Sequence, residues 1–124
     1  MTGVSYQTAS AYCDWLSGES GRACRLPTEI EWEKAARGVD GRWYPWGRRF
    51  HHELCNVEDN GHMRVALPEK YPEDASPYGV RCLAGNVSDW TSTGRTDDPR
   101  GLKRPWHVVR GGFMRSPSTL ARAA

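Results

Sequence analysis

Four cysteines and four histidines are the side chains of this sequence best suited to hold a metal or to act as nucleophiles. Cys13, Cys24, Cys55 and Cys82 show no C-x-x-C spacing, and no histidine stands at zinc-site distance from them. They form two disulfides in any of three pairings, or remain thiols. Cys13, on a helical stripe, reads as a buried free cysteine. His51-His52, His62 and His107 lack the helical spacing of a ligand triad and read as surface or turn residues. A second chemistry is binding. Six tryptophans and fourteen arginines against three lysines are unusual in 124 residues, and Trp and Arg dominate binding hot spots. The same aromatics can instead anchor an irregular core, so composition leaves both uses open.

The charge pattern limits the partners. A net charge of +2 with only isolated basic pairs, Arg48-Arg49 and Lys103-Arg104, is no stripe for a phosphate backbone, so nucleic acid is not expected. No apolar run approaches membrane-spanning length, and neither a signal peptide nor a membrane partner is expected. Taken as a whole product, the chain is expected in the cytoplasm; as part of a longer one, that expectation lapses. The stretch Thr93 to Pro105 carries Asp97, Asp98, Arg100 and Arg104, and reads either as a solvated surface or as a ligand contact.

Elements must position these residues. Ser5 is a plausible N-cap for a helix running to Ser17, with Val4 and Ala9 as a hydrophobic staple and Ala9, Tyr12, Cys13 and Leu16 at helical spacing. Gly18 to Gly21 is expected to stop it. Thr28-Glu29-Ile30-Glu31 is a capping box behind Pro27, followed by the buried stripe Trp32, Ala35 and Ala36 and a C-cap glycine after Arg37. From Trp43 to Ser92 no period of 3.6 or 2 persists, and Pro and Gly punctuate the run. Such a long irregular stretch calls for a function or a metal to tie it down. Trp106 to Arg110, ending in Gly111-Gly112, reads as a strand. The expectation is a single α+β domain of two short helices, long irregular loops and short antiparallel strands.

Five stretches in order carry a family resemblance. They are Gly3-Val4-Ser5 with Ala11 to Leu16, Arg25-Leu26-Pro27 through Gly38, Tyr44-Pro45-Trp46-Gly47, Ser76-Pro77-Tyr78-Gly79-Val80 followed by Gly85 to Thr91, and Val109-Arg110-Gly111-Gly112-Phe113. Together they resemble the formylglycine-generating-enzyme or sulfatase-modifying-factor domain, which has a C-type-lectin-like fold. Similar domains include enzymes, sulfoxide synthases, modules on bacterial kinases and the variable proteins of diversity-generating retroelements. A full domain of this kind has a long part before the Gly-Val-Ser segment and a closing strand, so residues 1–124 are expected to be a truncated copy, with a homo-oligomer as one way to cover exposed edges.

The resemblance also implies chemistry. Oxygen-dependent relatives hold copper on two cysteines soon after the Arg-Gly-Gly strand, and here Met114-Arg115-Ser116-Pro117-Ser118-Thr119-Leu120 has none. A copper site is therefore not expected, and the expectation leans away from an enzyme. Structural calcium is implied by Asn56-Val57 for one site and Asn86 for another, with Asp59 adding a carboxylate; Asn86 read simply caps a turn. Where the family has Trp-Glu-Trp, this chain has Ser88-Asp89-Trp90, losing core area and shortening a carboxylate. Trp32, Trp46 and Trp90 match core positions. The ligand-facing side falls to Trp106, Arg110, Phe113, Met114 and Arg115, with Arg104 in the adjoining loop. The expected function is a non-catalytic module binding a protein or small ligand. Alternatives are part of a metal-dependent oxidoreductase whose ligands lie elsewhere, and an oligomerising structural module.

Overall fold

The computed structural model describes residues 3–96 and 105–123. Helix α1 spans Tyr6–Ser20 and α2 spans Glu29–Arg37; strands β1, Asp89–Arg95, and β2, Trp106–Arg110, pair antiparallel. Between α2 and β1 the chain is irregular, broken by single helical turns at His52–Leu54, Glu58–Asn60 and Pro68–Lys70. This is the expected α+β architecture.

The caps form as the sequence requires. Ser5 accepts from the Thr8 amide, and Thr28 with Glu31 makes both bonds of the capping box. Arg25 clamps the Glu31 carboxylate at 2.6 and 2.7 Å. That bond first, then the Thr28 amide, holds the Glu31 carboxyl at about 2.

Helix α1 departs from expectation in two respects. It runs through Gly18 to Ser20, because the left-handed cap is Gly21, whose amide reaches the Ser17 carbonyl. Serines 17 and 20 also bond back to the Cys13 and Leu16 carbonyls, which carries the last turn past the glycine. Its stripe, moreover, is not sealed. Tyr12 is 58% and Trp15 56% exposed, and no α1 residue is fully buried. The helix is anchored at its start, where Tyr6 stacks on His107 at 3.4 Å and meets Trp90 edge-on. Farther along, Cys13, Leu16 and Ser17 are half-buried, and the Ser17 hydroxyl accepts from the Cys24 amide at 2.8 Å.

Strand β1 was not legible as a strand. Its one fully buried residue is Thr91, whose hydroxyl donates to the Val108 carbonyl, so the inward position is polar and no apolar alternation shows. A register shift between Trp90 and Gly94 further blurs the pattern. Residues 93–95 of the expected loop therefore belong to β1; Asp97, Asp98, Arg100 and Arg104 lie outside the described residues.

Two small cores share adjacent residues. Trp32, Ala36, Leu83 and Ala123 form one; Cys55, Val57, Ala84 and Ala121 form the other, with Trp46 and Phe50 against it. Leu83 belongs to the first and its neighbour Ala84 to the second, so this dipeptide ties the two cores together. Polar bonds fix α2 on the sheet: the Glu29 amide donates to Thr93 and the Ser92 amide to the Pro27 carbonyl.

Candidate functional site

Beside β1 and β2 lies an open apolar groove of about 890 Å³. Leu26 and Trp32 come from the approach to α2 and from α2 itself. Leu83, Trp90, Val109, Phe113 and Met114 complete the apolar lining. Gly111 makes this packing possible. It has φ +86°, and a Cβ there would stand 3.3 Å from the Leu83 carbonyl and 3.4 Å from the Trp32 ring. Ser88, also in the lining, stands where the family resemblance places a tryptophan. Its small side chain leaves the groove open, with its hydroxyl donating to the Gly112 carbonyl at 2.9 Å.

One of the two acids in this lining, Asp89, has no cationic partner among the described residues. Trp32 Nε1 donates to Asp89 Oδ2 at 2.9 Å. Burial pushes the Asp89 carboxyl above its ordinary value, against the opposing effect of that bond. The other charged residues of the lining have bonds of their own. Glu31 is held by Arg25, and Arg81 donates to the Pro68 carbonyl at 2.7 Å.

The residues expected on the ligand-facing side separate. Phe113 and Met114 line the groove, Phe113 being exposed. Arg110 turns to α2: its guanidinium lies 5.1 Å over Trp32, pairs with Glu29 at 3.4 Å and donates to the Ala123 carbonyl at 3.0 Å. Trp106 is half-buried, Arg115 is exposed, and Arg104 lies outside the described residues. Trp32 and Trp90, expected in the core, also face the groove, and so does Asp89.

The residues that the resemblance links to calcium form an amide knot. Asn56 Nδ2 donates to Asn86 Oδ1 at 3.0 Å and to the Arg64 carbonyl at 2.8 Å. Asn86 Oδ1 also accepts from the Ala66 amide, while its Nδ2 donates to the Ala66 carbonyl. These partners fix both amide orientations. Asn86, at φ +61°, is thus a turn lock whose Oδ1 already accepts two hydrogen bonds. Gly85 before it must be glycine, since a Cβ would fall 2.2 Å from the Asn56 carbonyl oxygen. Asn56 Oδ1 is different: it is buried and has no hydrogen-bond partner, as is Asn60 Oδ1 one turn on. Asp59 beside them is exposed, and the Val57 carbonyl accepts from the Asn60 amide. Amide oxygens of this kind suit a hard cation, and the two without partners are those of Asn56 and Asn60.

Among the described residues, no three His, Cys, Asp or Glu side chains group as a metal site. All four cysteines are free thiols. Burial, then the nearby Asp74, pushes the Cys55 thiol up to about 12, so it is no ready thiolate. His51, His52 and His62 are exposed, and His107 is stacked under Tyr6. No described helix is long and apolar enough to cross a membrane.

One chemically unusual residue escaped the sequence reading. Asp74 is 2% exposed, its Oδ1 has no partner, and its Oδ2 accepts from the Ala84 amide. Burial pushes its carboxyl up to about 7. In the Pro72-to-Pro77 stretch nothing distinguishes it from a solvated turn acid.

Comparison with known proteins gives a consistent picture. The Sulfatase-modifying factor enzyme 1-like domain matches residues 1–124. The chain is 37% identical over 119 residues to the mouse (Mus musculus) protein called inactive C-alpha-formylglycine-generating enzyme 2, covering 87% of this chain and 35% of that one. It is 33% identical over 103 residues to mouse formylglycine-generating enzyme, covering 72% and 26%. In structure it resembles PvdO from Pseudomonas aeruginosa, with a TM-score of 0.75 at 22% identity, covering 97% of this chain and 52% of PvdO. The fold is that of the formylglycine-generating-enzyme type, and the chain spans about a third or less of these two curated relatives.

Proposed function

This chain belongs to the sulfatase-modifying factor enzyme 1-like domain family, and we propose that within it the chain is a non-catalytic binding module whose ligand face is the apolar groove. The observation that carries this reading is the groove itself. At about 890 Å³ it lies in the roughly 300–1,000 Å³ range of small-ligand sites, apolar with few polar groups. Two facts support it. Residues 113–124 contain no cysteine to hold copper, and one relative carries the name of an inactive enzyme.

The test is binding of a neutral apolar fluorophore, N-phenylnaphthylamine. It should bind at one site, and Phe113→Glu together with Met114→Glu should abolish that binding while leaving the helical circular dichroism unchanged. No binding, or binding indifferent to these substitutions, would contradict the reading. Calcium at residues 56–60 is proposed as a structural tie, supported by the orphaned Asn56 oxygen.

A second reading has its own observation. Tyr12 and Trp15 are exposed with their rings 5.5 Å apart, which supports an oligomer or another polypeptide over this apolar pair. Sedimentation equilibrium separates the two: a monomer that binds the fluorophore supports the module, and a self-associating chain that does not bind it supports the cover. The enzymatic alternative, with metal ligands supplied from outside this chain, rests on the active mouse relative.

A further inference from the structure

The groove is not uniformly apolar, and its one carboxylate without a cationic partner among the described residues bears on what it takes. Three ionisable side chains among its lining residues matter: Glu31, Arg81 and Asp89. Glu31 is neutralised by the two-pronged Arg25 bond and by the Thr28 amide. The Arg81 guanidinium is bonded to the Pro68 carbonyl. Asp89 alone has no cationic partner among the described residues. Its Oδ2 takes the Trp32 indole N–H, and no described donor reaches Oδ1. Two charged groups face Asp89 from neighbouring elements. Arg110, its partner across the strands, is turned to Glu29 with its guanidinium over the Trp32 ring. The buried Asp74 carboxyl feels the Asp89 charge. The Trp90 indole in the lining offers a π-surface that attracts cations.

Resting on the groove as ligand site, we infer that its ligand is a small apolar organic cation, with the hydrocarbon body against Leu26, Trp32, Trp90, Val109 and Phe113 and the ammonium group on Asp89. A carboxylate in an apolar wall is costly to ionise without a counter-charge. A ligand ammonium supplies that charge and forms a charge-assisted hydrogen bond. A neutral or anionic ligand of the same shape leaves the carboxylate unpaired or repelled. Burial raises the Asp89 carboxyl, so cation binding draws a proton off Asp89 and strengthens as pH rises through that titration. Binding of the uncharged analogue should not strengthen in the same way.

The test uses two probes of equal shape, naphthalenemethylamine and naphthalenemethanol, titrated by calorimetry into the chain near neutral pH. The amine is expected to bind about tenfold tighter than the alcohol, the scale of one charge-assisted contact. In Asp89→Asn, which keeps an acceptor for the Trp32 indole, the preference should vanish while alcohol binding persists. Acidifying the wild-type chain should shrink the preference as well, which gives a second measure should Asp89→Asn fail to fold. Equal binding of both probes by the wild type would overturn the cation inference and leave the groove reading intact. Binding of neither would overturn both. A preference that survives Asp89→Asn and acidification would remove Asp89 from the account.

Discussion

At the scale of single residues, buried polar groups with incomplete partners are the most informative. Asp74 makes a pH prediction with a definite sign. Its carboxyl titrates near 7 in the fold against 3.8 ordinarily, so the native state holds a proton that the unfolded chain has released. Stability contributed by this residue is therefore greatest in acid and falls as pH rises from about 4 to about 7, by up to about 4 kcal/mol. Glu31 and Asp40, held at about 2 by Arg25 and Arg42, act in the opposite sense, but only as pH falls below the usual carboxylate range. Asp74→Asn keeps an acceptor for the Ala84 amide, and its melting temperature above neutrality should exceed that of the wild type; an equal or lower value would contradict the burial argument. Asn56 makes the second prediction. Millimolar calcium should raise the melting temperature, EDTA should reverse it, and Asn56→Ala should abolish the response while losing roughly 1–3 kcal/mol with its buried amide bonds. A calcium response that survives Asn56→Ala would move the cation elsewhere.

Elements were legible where local chemistry decides them. Ser5, Pro27, Thr28 and Glu31 announce two helix starts because a cap is a contact within four residues, and the structure has both. Thr28→Ala should cost about 1 kcal/mol, read by denaturant titration, since it leaves the Glu31 amide without its partner. Gly85→Ala should be much worse and leave little folded chain, because the added Cβ meets backbone at 2.2 Å. What was not legible depended on distant partners. Thr91 is buried because Val108 accepts its hydroxyl, Asn86 turns because Ala66 and Asn56 receive it, and Asp74 is buried because residues 83–84 close over it. None of these partners is near in sequence. The exposure of Tyr12 was likewise invisible: helical period says which residues share a face, not whether anything covers it.

On the scale of the whole molecule, the fold was readable from five ordered motifs, whereas the groove was readable only in outline. Phe113 and Met114 were expected on the ligand side and line it. Ser88 for Trp was noted as lost core area, and that loss is where the groove opens. Arg110, of the right type for a binding hot spot, instead joins α2 to the C-terminal turn, because residue type does not reveal which side of a strand has a carboxylate waiting. Filling the groove should exchange function for stability: Ser88→Trp is expected to raise the melting temperature and abolish fluorophore binding. An unchanged affinity would place the site elsewhere.

The central claim is that ligand binds in this groove, and the most direct measurement is NMR of the isotope-labelled chain titrated with N-phenylnaphthylamine. The indole N–H of Trp32, bonded to Asp89, and that of Trp90, bonded to the Val4 carbonyl, are reporters on two walls of the site. The account predicts that both indoles shift together with the amides of Leu83, Val109, Phe113 and Met114, while Trp15 stays still. Shifts confined to Trp15 and Tyr12, or no saturable shift at all, would contradict it.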